Sequence, residues 1–225
     1  MTGFVVADLK ITPREGGYAR GQEGIDQILK AALSILIEHG YVALTLRRIA
    51  AECGMKPGNL SYYFKSKNDL VRQLLDSVIS SYEDAFDAVM HEPGTGAEAR
   101  LEQVIVLILD DITTKKSTRI FPELWALTNR DPFVQERVND LYERARAVLN
   151  ELILEMNPAL PSTEREVLAL FMSASMEGMT VFAGYEKPWR GQMSMIERIA
   201  MKSFVSLVRT LKPGEITGAA TGWRE

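Results

Sequence analysis

Residues 45–70 read Thr-Leu-Arg-Arg-Ile-Ala-Ala-Glu-Cys-Gly-Met-Lys-Pro-Gly-Asn-Leu-Ser-Tyr-Tyr-Phe-Lys-Ser-Lys-Asn-Asp-Leu. A threonine hydroxyl accepts from the free backbone N–H groups of a first helical turn, so Thr45 caps a helix running from Leu46 to Cys53. Gly54 ends it, because glycine takes the positive φ of a tight turn at no steric cost. Pro57 suits the first position of the next helix, where its missing N–H has no partner to lose, and that helix runs to Phe64. Ser66 caps a further helix, with Asp69 three residues on in a variant of the capping box. A short helix, a glycine turn and a second short helix make a helix-turn-helix. Ile49 and the small Ala50 face inward, so the second helix can cross closely. That second helix offers Lys56, Asn59, Ser61, Tyr62 and Tyr63, with Lys65 and Lys67 directly after. Hydroxyls, lysines and helix N-termini are the groups that hold phosphates. Three consecutive aromatics cannot all face one core, which assigns Phe64 to the interior and Tyr62 and Tyr63 to the surface.

Working outward, Ile25, Ile28, Leu29, Ala32 and Leu36 recur at steps of three and four and form one apolar helical face. This predicts a first helix over 22–39 with Gly40 as its left-handed stop. After Ser66, the stripe Leu70, Leu74, Val78, Tyr82 carries a long helix to about Met90, where Glu92-Pro-Gly-Thr-Gly breaks it. Five further helices follow at 97–115, 118–129, 131–156, 163–185 and 193–211. Phe4 to Ile11 is the one stretch with a strand-like pattern. The expected architecture is all-α: a flexible arm (1–21), a three-helix bundle with the helix-turn-helix (22–68), a larger helical domain (69–212) and a flexible tail (213–225).

Composition agrees. The hydrophobic fraction of 46% and charged fraction of 25% are ordinary for a globular protein and exclude a disordered or low-complexity class. Cys53 is the only cysteine, which rules out an intramolecular disulfide and a thiolate zinc cluster. The first ten residues lack a basic start and an apolar core, so they do not read as a signal peptide. Apolar runs such as Val104 to Leu109 are shorter than the ~20 residues of a membrane helix. The expectation is a cytoplasmic protein with no membrane partner. The net charge of −4 hides an asymmetry: residues 1–72 carry ten basic and seven acidic side chains, whereas 73–225 carry sixteen and twenty-three. A basic front on an acidic body points the front alone at a polyanion.

The 45–70 segment resembles the DNA-binding segment of the TetR family of transcriptional regulators. The resemblance rests on the threonine, the Ile49-Ala50 pair, the turn glycine, the recognition helix ending in aromatic-Phe, the Ser66-Lys67 pair and the acidic-Leu pair Asp69-Leu70. It extends over about Ile25 to Leu74. It implies a homodimer that binds a palindromic double-stranded DNA operator, usually as a repressor, and releases it when a small-molecule effector binds. It implies that Thr45 caps the second helix and touches phosphate, and that Lys56, Pro57, Gly58 and Asn59 form the groove-facing start of the recognition helix. Tyr62 and Tyr63 become backbone and base-edge contacts, and Lys67 a phosphate contact. Two positions depart from the family pattern: Lys56 stands where a serine or threonine usually caps, and Ser61 where a tyrosine usually reaches a phosphate. On chemistry, Asn59 suits adenine and Lys56 suits guanine. Arg47, Arg48 and Lys65 are further phosphate candidates.

The C-terminal helices hold Phe121, Trp125, Phe171, Met172, Met176, Met179 and Phe182, and the chain has ten methionines. Methionine lines adaptable sites. The resemblance implies an inducer pocket in this domain, so these residues are expected to line it for a mostly apolar molecule. Glu177, a carboxylate inside an apolar run, is expected either on an exposed stripe or in the pocket facing a cation, with Trp125 as its aromatic companion. The resemblance also implies that the last two helices form the dimer interface, with Ser173, Ala174, Gly178 and Ala183 small enough for close approach.

An enzyme is the rival class. His39 and His91 are the only histidines and sit at helix ends, Asp110 and Asp111 are adjacent and point to different sides of a helix, and no glycine-rich phosphate loop is present. No catalytic residue, metal or cofactor is therefore expected. The same residues are also compatible with a transcriptional activator of this fold and with a helical adaptor that binds protein.

Overall fold

The computed structural model describes residues 6–7, 9–11 and 19–217. Among these the regular structure is entirely helical: α1 (Ala19–Ala43), α2 (Leu46–Glu52), α3 (Pro57–Tyr63), α4 (Lys67–Met90), α5 (Ala97–Ile112), α6 (Lys115–Thr128), α7 (Pro132–Met156), α8 (Ser162–Glu177), α9 (Met179–Ala183) and α10 (Met193–Thr210). A single 3-10 turn, Arg190–Gln192, precedes α10. The chain divides into two compact units.

The first unit comprises residues 6–84 and 115–141. Its core is the apolar face of α1 (Ile28, Leu29, Ala32, Ile35, Leu36), closed by Leu44, Ile49, Ala50, Leu60, Phe64, Leu70 and Leu74, all nearly or fully buried. α1 breaks at Gly40, whose φ of 77° and ψ of 173° only glycine adopts easily. The break frees the Tyr41 N–H, which donates to the Glu123 carboxylate of α6. Lys115 of α6 binds the Glu38 carboxylate of α1 at 2.6 Å. These ties place α6 with the helix-turn-helix unit, so the compact units cut across the sequence division at residue 69.

The described part of the N-terminal arm lies against the same unit. Val6 is buried, the Lys10 N–H donates to the Ser77 carbonyl at 3.0 Å, and Lys116 Nζ donates to the Ala7 carbonyl at 3.3 Å. The strand-like pattern of Phe4 to Ile11 forms no strand in its described residues; these contacts replace a sheet partner. The rest of that stretch and the end of the expected flexible tail lie outside the described residues.

The second unit comprises residues 85–114 and 142–217 among those described. Leu101, Ile105 and Leu109 of α5, Leu152 and Ile153 of α7, Met172 and Met176 of α8 and Val208 of α10 form its core. The Asn157 amide ties the α7–α8 turn to the end of α10 through the carbonyls of Val208 (2.8 Å) and Leu211 (2.9 Å). Buried Glu164 accepts from the N–H groups of Gly214 and Thr217, which fastens the chain after α10. The expected single helix over 163–185 is two, because the chain breaks at Gly178 and again at Gly184.

Candidate nucleic-acid interface and effector site

The helix-turn-helix is built by local rules. Thr45 Oγ1 accepts from the Arg48 N–H at 3.2 Å, which sets the start of α2. Gly54 turns the chain at φ 63°, and the Met55 N–H closes the turn on the Ala50 carbonyl at 2.8 Å. Ile49 and Ala50 pack inward and Leu60 anchors α3. What remains outside is a continuous polar face: Thr45, Arg47, Arg48, Lys56, Pro57, Gly58, Asn59, Ser61, Tyr62 and Lys65 are all exposed. Lys56 occupies the N-cap position of α3 without a side-chain cap, as an ammonium that only donates must.

Three expected contact residues sit differently from a simple outward projection. Ser61 Oγ donates to the Pro57 carbonyl one turn back at 3.1 Å, which holds this short side chain against its own helix. Lys67 donates to the Tyr41 carbonyl at 3.2 Å, with its nitrogen 3.9 Å from the centre of the Tyr41 ring. Burial pushes its pKa down. Lys67 thus braces α4 against the end of α1. Tyr63 is half-buried, while Tyr62 is 85% exposed and packed edge-on to the Tyr63 ring, with centroids 5.4 Å apart and planes at 87°.

The residues expected to line one effector pocket fall into two units. Phe121 and Trp125 belong to the unit of the helix-turn-helix, where Phe121 packs between Tyr82 and Trp125 at centroid distances of 5.9 and 6.3 Å. Met172, Met176, Glu177 and Met179 belong to the second unit, where Met172 and Met176 are buried. Phe171 and Phe182 leave this set: they are 55% and 59% exposed and face outward.

Glu177 retains some accessible surface, yet its carboxylate is crowded by protein. Desolvation raises its pKa from 4.5 to about 7, the Tyr142 hydroxyl that hydrogen-bonds it pulls the other way, and the nearby Asp111 carboxylate adds to the rise. Asp111 is itself buried, and one turn beyond Glu177 the buried Thr180 hydroxyl has no hydrogen-bond partner among the described residues. Glu177 of α8, the Asp111 carboxylate of α5 and the Tyr142 hydroxyl of α7 are thus brought together in the second unit. The sequence singles out Glu177 but not Asp111, Tyr142 or Thr180, which lie on separate helices or carry no pattern of their own.

Of the four small residues expected at a dimer interface, Ser173 and Ala183 are buried inside their own chain and Gly178 is half-buried; Ala174 is exposed. The outward face is instead large and apolar. Val167, Leu170, Phe171, Ala174, Val181 and Phe182 follow helical spacing along α8 and α9, and Met195 and Ile199 are further exposed apolar side chains on α10. The spacing of 167, 170, 171 and 174 carries this stripe, but in sequence its larger side chains are equally consistent with pocket or core. A window within Ser162–Ala183 reaches a mean hydropathy of 1.3, long and apolar enough by length and composition to cross a membrane. Here one side of that stretch packs its own core through Leu168, Ala169, Met172 and Met176, and the other side carries the stripe.

Residues 28–74 match the model of bacterial regulatory proteins of the tetR family, and residues 97–200 match that of the BetI-type transcriptional repressor C-terminal region. The regulator BetI of Escherichia coli (strain SMS-3-5 / SECEC) is 24% identical over 155 residues, covering 68% of this chain and 78% of that protein. Among solved structures, a transcriptional regulator from Saccharomonospora viridis in complex with choline superposes with a TM-score of 0.65 at 19% identity, over 84% of this chain and 96% of that one. A TetR-family regulator from Mesorhizobium loti superposes with a TM-score of 0.69 at 16% identity, over 84% and 98%. Helix-turn-helix, polar outer face and helical second unit fall within these matches, and the chain belongs to the TetR family: it is a DNA-binding transcriptional regulator, not an enzyme.

Proposed function

We propose that this chain is a homodimeric repressor that binds a palindromic DNA operator in the cytoplasm and releases it when a small organic cation enters the second unit. The observation that carries the DNA half is the exposed face of α2 and α3, where Arg47, Arg48, Lys56, Asn59, Tyr62 and Lys65 stand over a fully packed core. Arginine and lysine meet phosphates, and asparagine reads adenine in the major groove. The dimer half rests on the α8–α10 stripe, since an exposed apolar patch of this extent marks an interaction surface and a twofold pairing would cover it on both copies.

The effector half sharpens the expectation of a mostly apolar molecule. Glu177 with Asp111 makes an acidic interior beside Met172 and Met176, which favours a cation carrying apolar substituents. The choline complex of the Saccharomonospora viridis regulator supports this class. Release follows if the cation binds the DNA-incompetent state more tightly; a coupling of about 1–3 kcal/mol lowers operator affinity roughly 5- to 150-fold. The test titrates operator-bound protein with choline and with its uncharged carbon isostere. Release by choline alone is expected, and loss of that response in Glu177→Gln. Equal release by the uncharged alcohol would overturn the cation assignment.

A further inference from the structure

Gly24 lies in the interior of α1, buried, with no positive φ to call for glycine. Glycine weakens a helix interior relative to alanine, so its presence at an ordinary helical position needs a reason in space, not in backbone conformation. The reason is Tyr63. A Cβ at residue 24 would stand 2.5 Å from the Tyr63 hydroxyl oxygen, 2.6 Å from Cζ and 3.0 Å from Cε1. The phenol of α3 thus lies in a notch cut into α1. Tyr63 in turn presents its ring edge-on to Tyr62, and Tyr62 is 85% exposed. An exposed tyrosine with one wall beside it takes its orientation from that wall.

We propose that Gly24 and Tyr63 form a positioning element that aims Tyr62 at the base edges, so that part of the operator specificity is set from the first helix. Tyr63 then acts as a positioning residue, held by α1, and not as a phosphate or base contact of its own. This rests on the DNA-binding function proposed above. The physical basis is preorganisation: a side chain already held in its bound orientation loses less rotamer freedom on binding. A methyl at residue 24 must displace the Tyr63 ring, because no other atom of the notch lies as close. A displaced Tyr63 leaves Tyr62 without its wall.

The experiment starts from the operator selected by the full-length wild-type chain. Failure to select any operator defeats the DNA-binding function itself and is separate from the outcomes below. Tyr62→Ala first identifies the base pair whose preference depends on Tyr62. Gly24→Ala is expected to lose preference at that same base pair and to bind operator about 3- to 10-fold more weakly. Its affinity for random duplex DNA and its melting temperature should not fall, a combination that a merely structural role would not produce. Tyr63→Ala, which leaves Gly24 intact, should relax the same base pair. Adding Gly24→Ala to Tyr63→Ala should then change nothing further, because the clash has gone. Unchanged base preference in either single variant, or an effect of Gly24→Ala that persists in the Tyr63→Ala background, overturns the proposal.

Discussion

Replacing Glu177 by glutamine should make the protein more stable at neutral pH, and by an amount that depends on pH in a defined way. The carboxyl pKa is raised to about 7 in the folded chain from an ordinary 4.5. The folded state therefore holds a proton that the unfolded state has already released between those two values. Stability contributed by Glu177 is fully present below pH 4.5, falls as pH rises through the window, and reaches its lowest level above about 7. At about 1.36 kcal/mol per pKa unit, the gap corresponds to a penalty of up to about 3 kcal/mol for burying the ionised group. Glutamine keeps the shape and the acceptor for Tyr142 and cannot ionise. Wild type and Glu177→Gln should therefore differ by less than about 1 kcal/mol at pH 5, and the variant should be more stable by up to ~3 kcal/mol at pH 8. For a chain of this size that is roughly 6–12 °C in melting temperature. The assay is urea denaturation of both proteins at matched protomer concentration from pH 5 to 8, because dimerisation makes apparent stability concentration-dependent. Other carboxyls titrate in both proteins, including Glu197, which desolvation and Asp110 push up, so the difference between the curves isolates Glu177. A difference that stays flat from pH 5 to 8 would show that the carboxylate is solvated, and the cation assignment would fall with it.

Three further outcomes follow from the same geometry. Ile199→Glu, a charge on an exposed apolar residue of α10, should convert a dimer in sedimentation velocity to a folded monomer; an unchanged dimer would put the interface elsewhere. Lys65→Ala, on an exposed lysine with no bracing role, should reduce the slope of log affinity against log salt by about 0.9, whereas Lys67→Ala should also lower the melting temperature because Lys67 supports Tyr41. Thr45→Ala should cost about 1 kcal/mol by removing the oxygen that accepts from the Arg48 N–H, measured by denaturation of the free protein.

The helix-turn-helix is legible in the sequence because its signals are local. Thr45, Gly54, Pro57 and Ser66 each act within three or four residues, and their caps and turns appear where the spacing puts them. The apolar period of α1 likewise predicts the buried set Ile28, Leu29, Ala32 and Leu36. The second unit is legible as helices but not as faces. In α8 a large apolar residue occurs on nearly every side, so period alone cannot say that Met172 turns in while Phe171, its neighbour, turns out. The placement of α6 is invisible for another reason: its ties to α1, Glu123 to Tyr41 and Lys115 to Glu38, join residues about eighty apart and use common surface side chains. Gly24 signals in sequence only that something approaches α1 closely; that the something is the Tyr63 ring, thirty-nine residues on, is known only from the fold.

The central claim is sequence-specific binding of duplex DNA by a twofold pair of recognition helices. It is tested most directly by selecting fragments from random DNA with the full-length chain at about 0.15 M salt and sequencing what is retained. The account predicts an inverted repeat whose half-sites lie about one helical turn apart, or a multiple of it, roughly 34–36 Å per turn. A Tyr62→Ala, Asn59→Ala double variant should fail to enrich it. Recovery of no common sequence, or of a single unrepeated site bound equally well by the double variant, would contradict the account.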